Sequence, residues 1–369
     1  MKHQIAIAVS GGIDSLVSAY LLKEQGFNVI GIHFVTGYET QVHCPGPSGS
    51  TALKNPDLDP LSNIKKQALH TISHIKNQLG IRVEIVDCSM EFQREVVDYF
   101  IRTYQAGQTP NPCMVCNTSI KFGTVLAYAR KKGAFRLATG HYAKIIENDK
   151  DGFHLCKGID QEKDQSYFLA RLNQKQLAGA CFPLGHMTKS EVKKLAAEKE
   201  LYPAIEKESH DICFIKSKTY GEFLALQPGF KPRPGRIEDV NGKVLGEHKG
   251  LHLYTVGQRR GINCPSFEPY YVVNLDRAQN RLVVGAKKNL LSAECKVANI
   301  SWINREPTSP MKVHTRIRYR NKGIESDLFP VGKHAAIIKF TSPQSAITPG
   351  QGAVFYKDDE VLGGGWIEK

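Results

Sequence analysis

No stretch of this sequence approaches the roughly 18 consecutive apolar residues that a membrane-spanning helix requires, so no helix is expected to cross a bilayer. The opening MKHQIAIAVSGG has a basic start and a short apolar run. Gly11, Gly12 and Asp14 interrupt that run before a signal-peptide core or cleavage site forms. Cysteine is thin: nine residues, an odd number, scattered along the chain, which excludes a disulfide scaffold and points to a reducing compartment, the cytoplasm. There is no internal repeat. With 41% hydrophobic and 23% charged residues the chain is neither a disordered tail nor a coiled-coil rod. The first glycine-rich loop also lacks two familiar things: the lysine of a Walker A loop, and the G-x-G-x-x-G spacing of a dinucleotide site.

What is present starts with size and charge. A chain of 369 residues is long enough for two or three domains, and a net charge of +13 suits a polyanionic partner. Residues 4 to 9 (QIAIAV) are apolar without alternation, as in a central parallel strand. A helical pattern closed by Gly26 follows, then a second strand over 28 to 34. Residues 36 to 60, rich in Gly, Pro, Ser and Asp and holding His43 and Cys44, read as a long loop. Helices over 61–79, 91–104 and 120–131 alternate with strands over 81–87 and 136–141. This alternation predicts an α/β fold with an open, doubly wound parallel sheet over residues 1–215.

Residues 228 to 236 (PGFKPRPGR) then read as a linker, and short strands dominate beyond it: 251–256, 270–275, 281–286, 312–320, 334–340 and 352–356. A small domain over 216–295 and a C-terminal β-barrel over 296–369 are expected. In the barrel Arg316, Arg318 and Arg320 alternate, which would set them on one face of a strand, suited to phosphate contacts.

The strongest chemical signal is SGGIDS, placed between a strand and a helix. Two glycines let backbone N–H groups converge on a pyrophosphate, the helix start adds its positive end, and Ser10 and Ser15 add hydroxyls. Ala8, Val9, Ser10, Gly11, Gly12, Ile13, Asp14 and Ser15 form the candidate ATP site, with Asp14 as the Mg²⁺ ligand. Phe34, at the carboxyl end of the second strand, is placed for a purine. Gly140 would allow close approach to the nucleotide, with His141 either near phosphate or structural. The cysteines supply the second signal. Cys113 and Cys116 form a CxxC behind the turn 107–112 (GQTPNP), and Cys213 reads as a thiol at a strand edge facing a pocket. Activation of a carbonyl oxygen by adenylation, with thiols nearby and a basic chain around it, suggests sulfur transfer onto a nucleic-acid base.

These blocks resemble the tRNA-specific 2-thiouridylase family. The likeness runs nearly end to end, through SGGIDS, GQTPNPCMVCN, ATGHYAKI, KDQSYFLARL, FPLGHMTKSEV, ICFI, YTVGQRRGI, RIRYR and QSAITPGQGAVFY. It implies a PP-loop (adenine nucleotide alpha hydrolase-like) domain, a small central domain and a C-terminal β-barrel that helps hold tRNA. It implies thiolation at the wobble uridine, with a persulfide on Cys213, attack by Cys116 and a Cys116–Cys213 disulfide intermediate. It further implies RNA contacts by Asn111, Pro112, Lys163, Asp164 and Gln165, and by Arg318 and Tyr319, to which the basic pattern adds Arg320. The implied partners are tRNA and a sulfur donor protein, either a cysteine desulfurase or a sulfur relay; a monomer is the expected state.

Two departures leave other routes open. Many members have Asp where this chain has Cys113, and Asp211 stands where the family usually has glycine. Cys113, Cys116 and Cys213 could instead ligate a 4Fe–4S cluster with one iron open, on this or another RNA uridine. A PP-loop ligase or amidotransferase would share SGGIDS but would not need the cysteines or a basic barrel. A non-catalytic RNA-binding protein would not need SGGIDS.

Overall fold

The continuous apolar run near the start forms β1 (Gln4–Ala8), in which Ile5, Ala6, Ile7 and Ala8 are all buried. A strand buried on both faces has no polar side to present, which is why its residues do not alternate. The computed structural model describes residues 3–39, 60–205, 212–215 and 219–368; for 60–67 only the backbone is described. Of the expected loop over 36–60, residues 40–59 with His43 and Cys44 lie outside the described residues. Two units form, one of residues Met1–Val96 and Val115–Ser217, the other of Val97–Met114 and Lys218–Lys369.

In the first unit β1 is flanked by β2 (Asn28–Val35), beyond which lies β3 (Arg82–Asp87). On its other side lies β4 (Leu137–Ala138). An antiparallel hairpin of β5 (Ala143–Asn148) and β6 (Gly152–Lys157) intervenes before β7 (Ala180–Cys181), which pairs with β4. The sheet order is β3-β2-β1-β4-β7 and every pairing in it is parallel. The chain builds outward from β1 in one direction and then returns to β4 on the other side. The carboxyl ends of β1 and β4 therefore sit at a topological switch point, where open α/β sheets bind ligands. Ile5, Ile7 and Val9 pack with Leu16, Val17 and Leu22 of the Ile13–Glu24 helix and with Ile75 and Leu79 of the Pro60–Leu79 helix.

The second unit holds a four-stranded sheet of order β10-β11-β8-β9, made by β8 (Gly235–Asp239), β9 (Val244–His248), β10 (Tyr271–Asp276) and β11 (Arg281–Gly285). Six further strands follow: β12 (Leu291–Trp302), β13 (Met311–Arg316), β14 (Ile324–Pro330), β15 (Ala336–Ser345), β16 (Gly352–Lys357) and β17 (Glu360–Ile367). They run β12-β15-β14-β13-β16-β17, and a β12–β17 pairing closes them into a barrel around Val297, Ile338 and Phe355. The α/β layer, the small central domain and the closed barrel are the expected fold class.

Several local expectations are corrected. Residues 251–253 wind as a 3₁₀ turn, not a strand. The stretch read as a linker runs into β8 at Gly235. β13 stops at Arg316, so Arg316, Arg318 and Arg320 do not share a strand face. Arg316 is buried, with its guanidinium 4.8 Å from the centre of the Tyr356 ring, whereas Arg318 and Arg320 are exposed on the turn that follows. A Thr-Arg-Ile-Arg alternation cannot reveal where a strand gives way to a turn.

His248 and His252 are buried in the central domain, at 2% and 7% exposure. His248 Nε2 lies 3.2 Å from the Asn280 carbonyl, and the His252 ring packs 4.9 Å from Phe230. Burial lowers the pKa of both, with His248 itself a further cause for His252. The fold therefore favours their neutral forms, while the unfolded chain takes up their protons below about pH 6.5. Their contribution is therefore intact above that pH and is lost as pH falls below it. The thermal midpoint is expected to drop between pH 7 and pH 5, and His248→Gln is expected to flatten the profile. A wild-type midpoint independent of pH over that window would refute the assignment.

Candidate active site at the carboxyl ends of β1 and β4

β1 delivers the chain into the Ser10–Ser15 loop. Gly11 takes φ +85°, a left-handed conformation that a side chain would oppose, and Gly12 is the N-cap of the Ile13–Glu24 helix. Ser15 Oγ donates to the Gly12 carbonyl at 2.9 Å and accepts from Ser10 N at 3.3 Å, so the loop is cross-braced from within. Ser10 is exposed, Gly12, Ile13 and Asp14 are half-buried, and Ala8, Val9, Gly11 and Ser15 are buried. Backbone N–H groups at a helix start with exposed surface above them form a site for an anion.

Gly140 follows β4 and lies against this loop. A Cβ at Gly140 would stand 2.9 Å from the Asp14 carbonyl carbon and 3.0 Å from Ser15 N. Gly140 thus lies in close approach to the loop's own backbone. His141 is 7% exposed, Nδ1 sits 2.6 Å from Thr139 Oγ1, and burial holds its pKa well below the ordinary range. Phe34 is half-buried near the end of β2, opposite Val86 of β3.

Sequence reasoning missed Lys189. Its ammonium donates to both oxygens of Asp14 at 2.7 Å, and Tyr142 Oη donates to Asp14 Oδ1 at 2.7 Å. The Lys189 side chain is only 10% exposed. Lys189 is the first residue of the Lys189–Glu198 helix, whose start is set by a capping box: Thr188 accepts from Glu191 N, and Glu191 accepts from Thr188 N at 2.6 Å. Asp160 accepts from Lys189 N at 2.8 Å and holds the same turn. A buried lysine at a helix N-terminus opposes the helix dipole. It places an ammonium against a loop that carries no basic side chain of its own. The signal was available: a T-x-x-E box with a lysine inside its first turn.

The block 163–165 is shaped inward. Asp164 is 2% exposed and accepts from Gly158 N, Ser166 N and Ser166 Oγ. Gln165 accepts from Tyr142 N at 3.1 Å, which ties this loop to the residue that bonds Asp14; Lys163 is half-buried.

Cys116 opens a ten-residue π-helix, Cys116–Val125, which continues as the Leu126–Lys131 α-helix. Cys116 is half-buried and Cys213 is exposed. Cys213 lies in a turn and not at a strand edge. The neighbouring Phe214 is buried and packs on Phe92 and Tyr38, with ring centres 5.7 and 5.9 Å apart. The short Ser89–Phe92 helix also packs against the π-helix. One aromatic helix thus gathers the Cys116 and Cys213 segments beyond the end of β2. Residues 208–211, before Cys213, lie outside the described residues. Among the described residues no three His, Cys, Asp or Glu side chains are grouped so as to hold a metal ion.

In the second unit Cys113 is exposed, and the turn before it is pinned by the loop after β15. Thr109 N donates to the Pro349 carbonyl at 2.9 Å, and Gln351 Nε2 donates to the Thr109 and Pro110 carbonyls at 3.2 and 2.8 Å. Asn111 and Pro112 are buried; Asn111 Oδ1 accepts from Met114 N at 3.3 Å, and Asn111 N donates to Tyr99 Oη at 3.2 Å. Tyr319 is half-buried between Arg318 and Arg320. No helix among the described residues is long and apolar enough to cross a membrane.

Residues 3–217 match a family model described as "tRNA methyl transferase HUP domain", residues 222–286 one described as a PRC-barrel domain, and residues 292–367 an aminomethyltransferase β-barrel domain. The tRNA-specific 2-thiouridylase MnmA of Desulfosudis oleivorans is 47% identical over 98% of this chain and 94% of its own length. The protein of that name from Geobacter metallireducens is 41% identical over 100% of this chain and 97% of its own.

Proposed function

The chain belongs to the tRNA-specific 2-thiouridylase family, and from that membership we propose that this ATP-dependent tRNA sulfurtransferase makes 2-thiouridine at the wobble position. The observation that carries the chemistry is the Ser10–Ser15 cradle with Lys189 seated on Asp14, in the same unit as Cys116 and Cys213. In this reading the cradle binds the phosphates of ATP. Asp14 would hold Mg²⁺, which when bound would neutralise phosphate charge. Lys189, seated on Asp14, offers its ammonium to the departing pyrophosphate.

Uridine O2 attacks the α-phosphorus, the bond to the β-phosphate breaks and pyrophosphate leaves. The base now carries adenylate as a leaving group at C2. Cys213 holds a persulfide delivered by a sulfur donor protein. The Cys116 thiolate attacks the Cys213 sulfur, displacing the terminal sulfur as hydrosulfide and forming a Cys116–Cys213 disulfide. Hydrosulfide adds at C2 and AMP departs with the C–O bonding electrons. A thiol reductant returns two electrons to the disulfide. The uridine is unstacked when it reacts. Arg318, Arg320 and Tyr319 are exposed or half-buried and suit phosphate contacts, as does Lys163; Asn111 and Pro112 act by shaping the turn before Cys113. Asp164 and Gln165 support the RNA site through the loop they brace.

The name of the matching family model speaks of a methyl transferase. A polyphosphate cradle and two cysteine segments gathered by one helix favour adenylation and sulfur transfer. The test is nucleoside mass spectrometry of tRNA incubated with ATP and a sulfur source, alongside AMP release with and without tRNA. Absence of new 2-thiouridine would sink the reading. Gly140→Ala presses a methyl group into the Asp14–Ser15 backbone. It is expected to weaken ATP binding by on the order of ten- to a hundredfold, read by calorimetry; unchanged affinity would mean the loop yields freely.

A further inference from the structure

The π-helix that opens at Cys116 is unusual in length. A π turn bonds i to i+5 and holds one residue more than an α turn, so it is normally confined to a single turn. Here the winding persists over Cys116–Val125 before α geometry resumes at Leu126. Such a stretch needs something outside itself to hold it. Gln176 Nε2 donates to two of its carbonyls, Thr118 at 2.8 Å and Phe122 at 3.2 Å. The same side chain's Oε1 accepts from Asn173 N at 3.1 Å, in a capping box that fixes the Gln174–Ala178 helix. Gln174 in turn bonds the Phe153 backbone through both amide atoms, at 2.9 and 2.7 Å, so that helix is anchored on β6. A second tether lies next to Cys116: buried Asn117 donates from Nδ2 to the Phe168 carbonyl at 3.1 Å. Gly123 completes the fit, since a Cβ there would stand 3.1 Å from the Thr118 carbonyl oxygen.

We propose that Gln176 is a positioning residue for Cys116, acting by clamping the helix in π winding. Rewinding to α would turn Cys116 relative to the Leu126–Lys131 helix by about one residue, roughly 100°, for each π turn removed. That would redirect the thiol while leaving the Ser10–Ser15 cradle untouched. The inference rests on the role of Cys116 in the proposed function. It predicts that sulfur transfer and adenylation respond separately to the clamp.

Gln176→Glu keeps the acceptor for Asn173 N and removes both donors. The full chain carrying it is expected to release AMP in the presence of tRNA within about twofold of wild type, and to form 2-thiouridine about tenfold more slowly or worse. The alkylation rate of Cys116 by iodoacetamide, read by peptide mass spectrometry, is expected to shift by about threefold or more, with that of Cys213 unchanged. Gln176→Lys restores a donor and should recover the Cys116 rate. Asn173→Ala, which loses the helix cap alone, should lower the thermal midpoint without altering either Cys116 reactivity or the ratio of AMP to 2-thiouridine. The proposal is overturned if Gln176→Glu leaves Cys116 reactivity at the wild-type value, or if Asn173→Ala reproduces its whole effect. If wild-type protein forms no 2-thiouridine, the functional reading fails by itself, and the alkylation rates still decide whether Gln176 orients Cys116.

Discussion

Lys189→Met is expected to reduce tRNA-dependent AMP formation by about 10²- to 10³-fold, the scale seen when one preorganised charge is removed from a transition state. The substitution keeps the length and apolar stem of the side chain and deletes only the ammonium that bonds both Asp14 oxygens. Asp14 would keep the hydrogen bond from Tyr142 and lose its cation. Two effects follow from one change. The departing pyrophosphate loses a positive partner, and the loop loses the ion pair that orients its carboxylate. Lys189→Arg should recover part of the rate, because charge returns but the planar fork does not match a point donor. Glu191→Gln is the control for the helix itself. Its carboxylate is held low in pKa by hydrogen bonds from Thr188, so it tests the cap without touching Asp14. AMP formation within about threefold of wild type in Lys189→Met would remove Lys189 from the chemistry, since such a loss is well under 1 kcal/mol.

Cys116→Ser has the second large expected effect, and it falls on the other half-reaction. Formation of 2-thiouridine should drop on the order of 10⁴-fold or more, as for other lost nucleophiles. Adenylation needs only the cradle, so AMP and pyrophosphate should still appear when tRNA is added. Cys213→Ser should behave in the same way, and should in addition leave no persulfide on the chain after incubation with a sulfur donor. Cys113→Ser separates the persulfide route from a cluster. In the persulfide route it leaves thiolation largely intact, because the two working sulfurs are elsewhere. A loss equal to that of Cys116→Ser would bring the third cysteine into the mechanism. Normal thiolation by Cys116→Ser would exclude sulfur chemistry at this helix altogether.

The residues differ in how far the linear pattern announced them. The Ser10–Ser15 loop was fully legible, because a nest depends on glycines and hydroxyls adjacent in sequence and on the strand and helix that flank it. The cysteines were legible as reactive candidates, but their surroundings were not. Cys213 sits in a turn held by Phe214, and that packing involves Phe92 and Tyr38, far away in the chain. Arg316 shows a reading that failed for a definite reason. Alternation gives a face only while the strand lasts, and β13 ends at that residue. His141 and Asp164 have functional-looking side chains whose polar atoms are taken up by near neighbours.

Local order along the chain determined the α/β layer, the glycine–serine loop between β1 and the helix after it, the shift to a strand-rich second half and the CxxC placed behind a proline-stiffened turn. All of these rest on interactions between residues a few positions apart, or on periodicity within one element. Tertiary structure alone decided what stands opposite Asp14. Lys189 lies 175 residues further on, and no spacing rule connects them. The pairing exists because β1 and β4 diverge at the switch point and a capped helix start is carried to that edge. The winding of the Cys116 helix was decided in the same way, since π and α turns draw on the same residues. The choice between them is made by carbonyls bonded to Gln176, which the chain brings back only after folding.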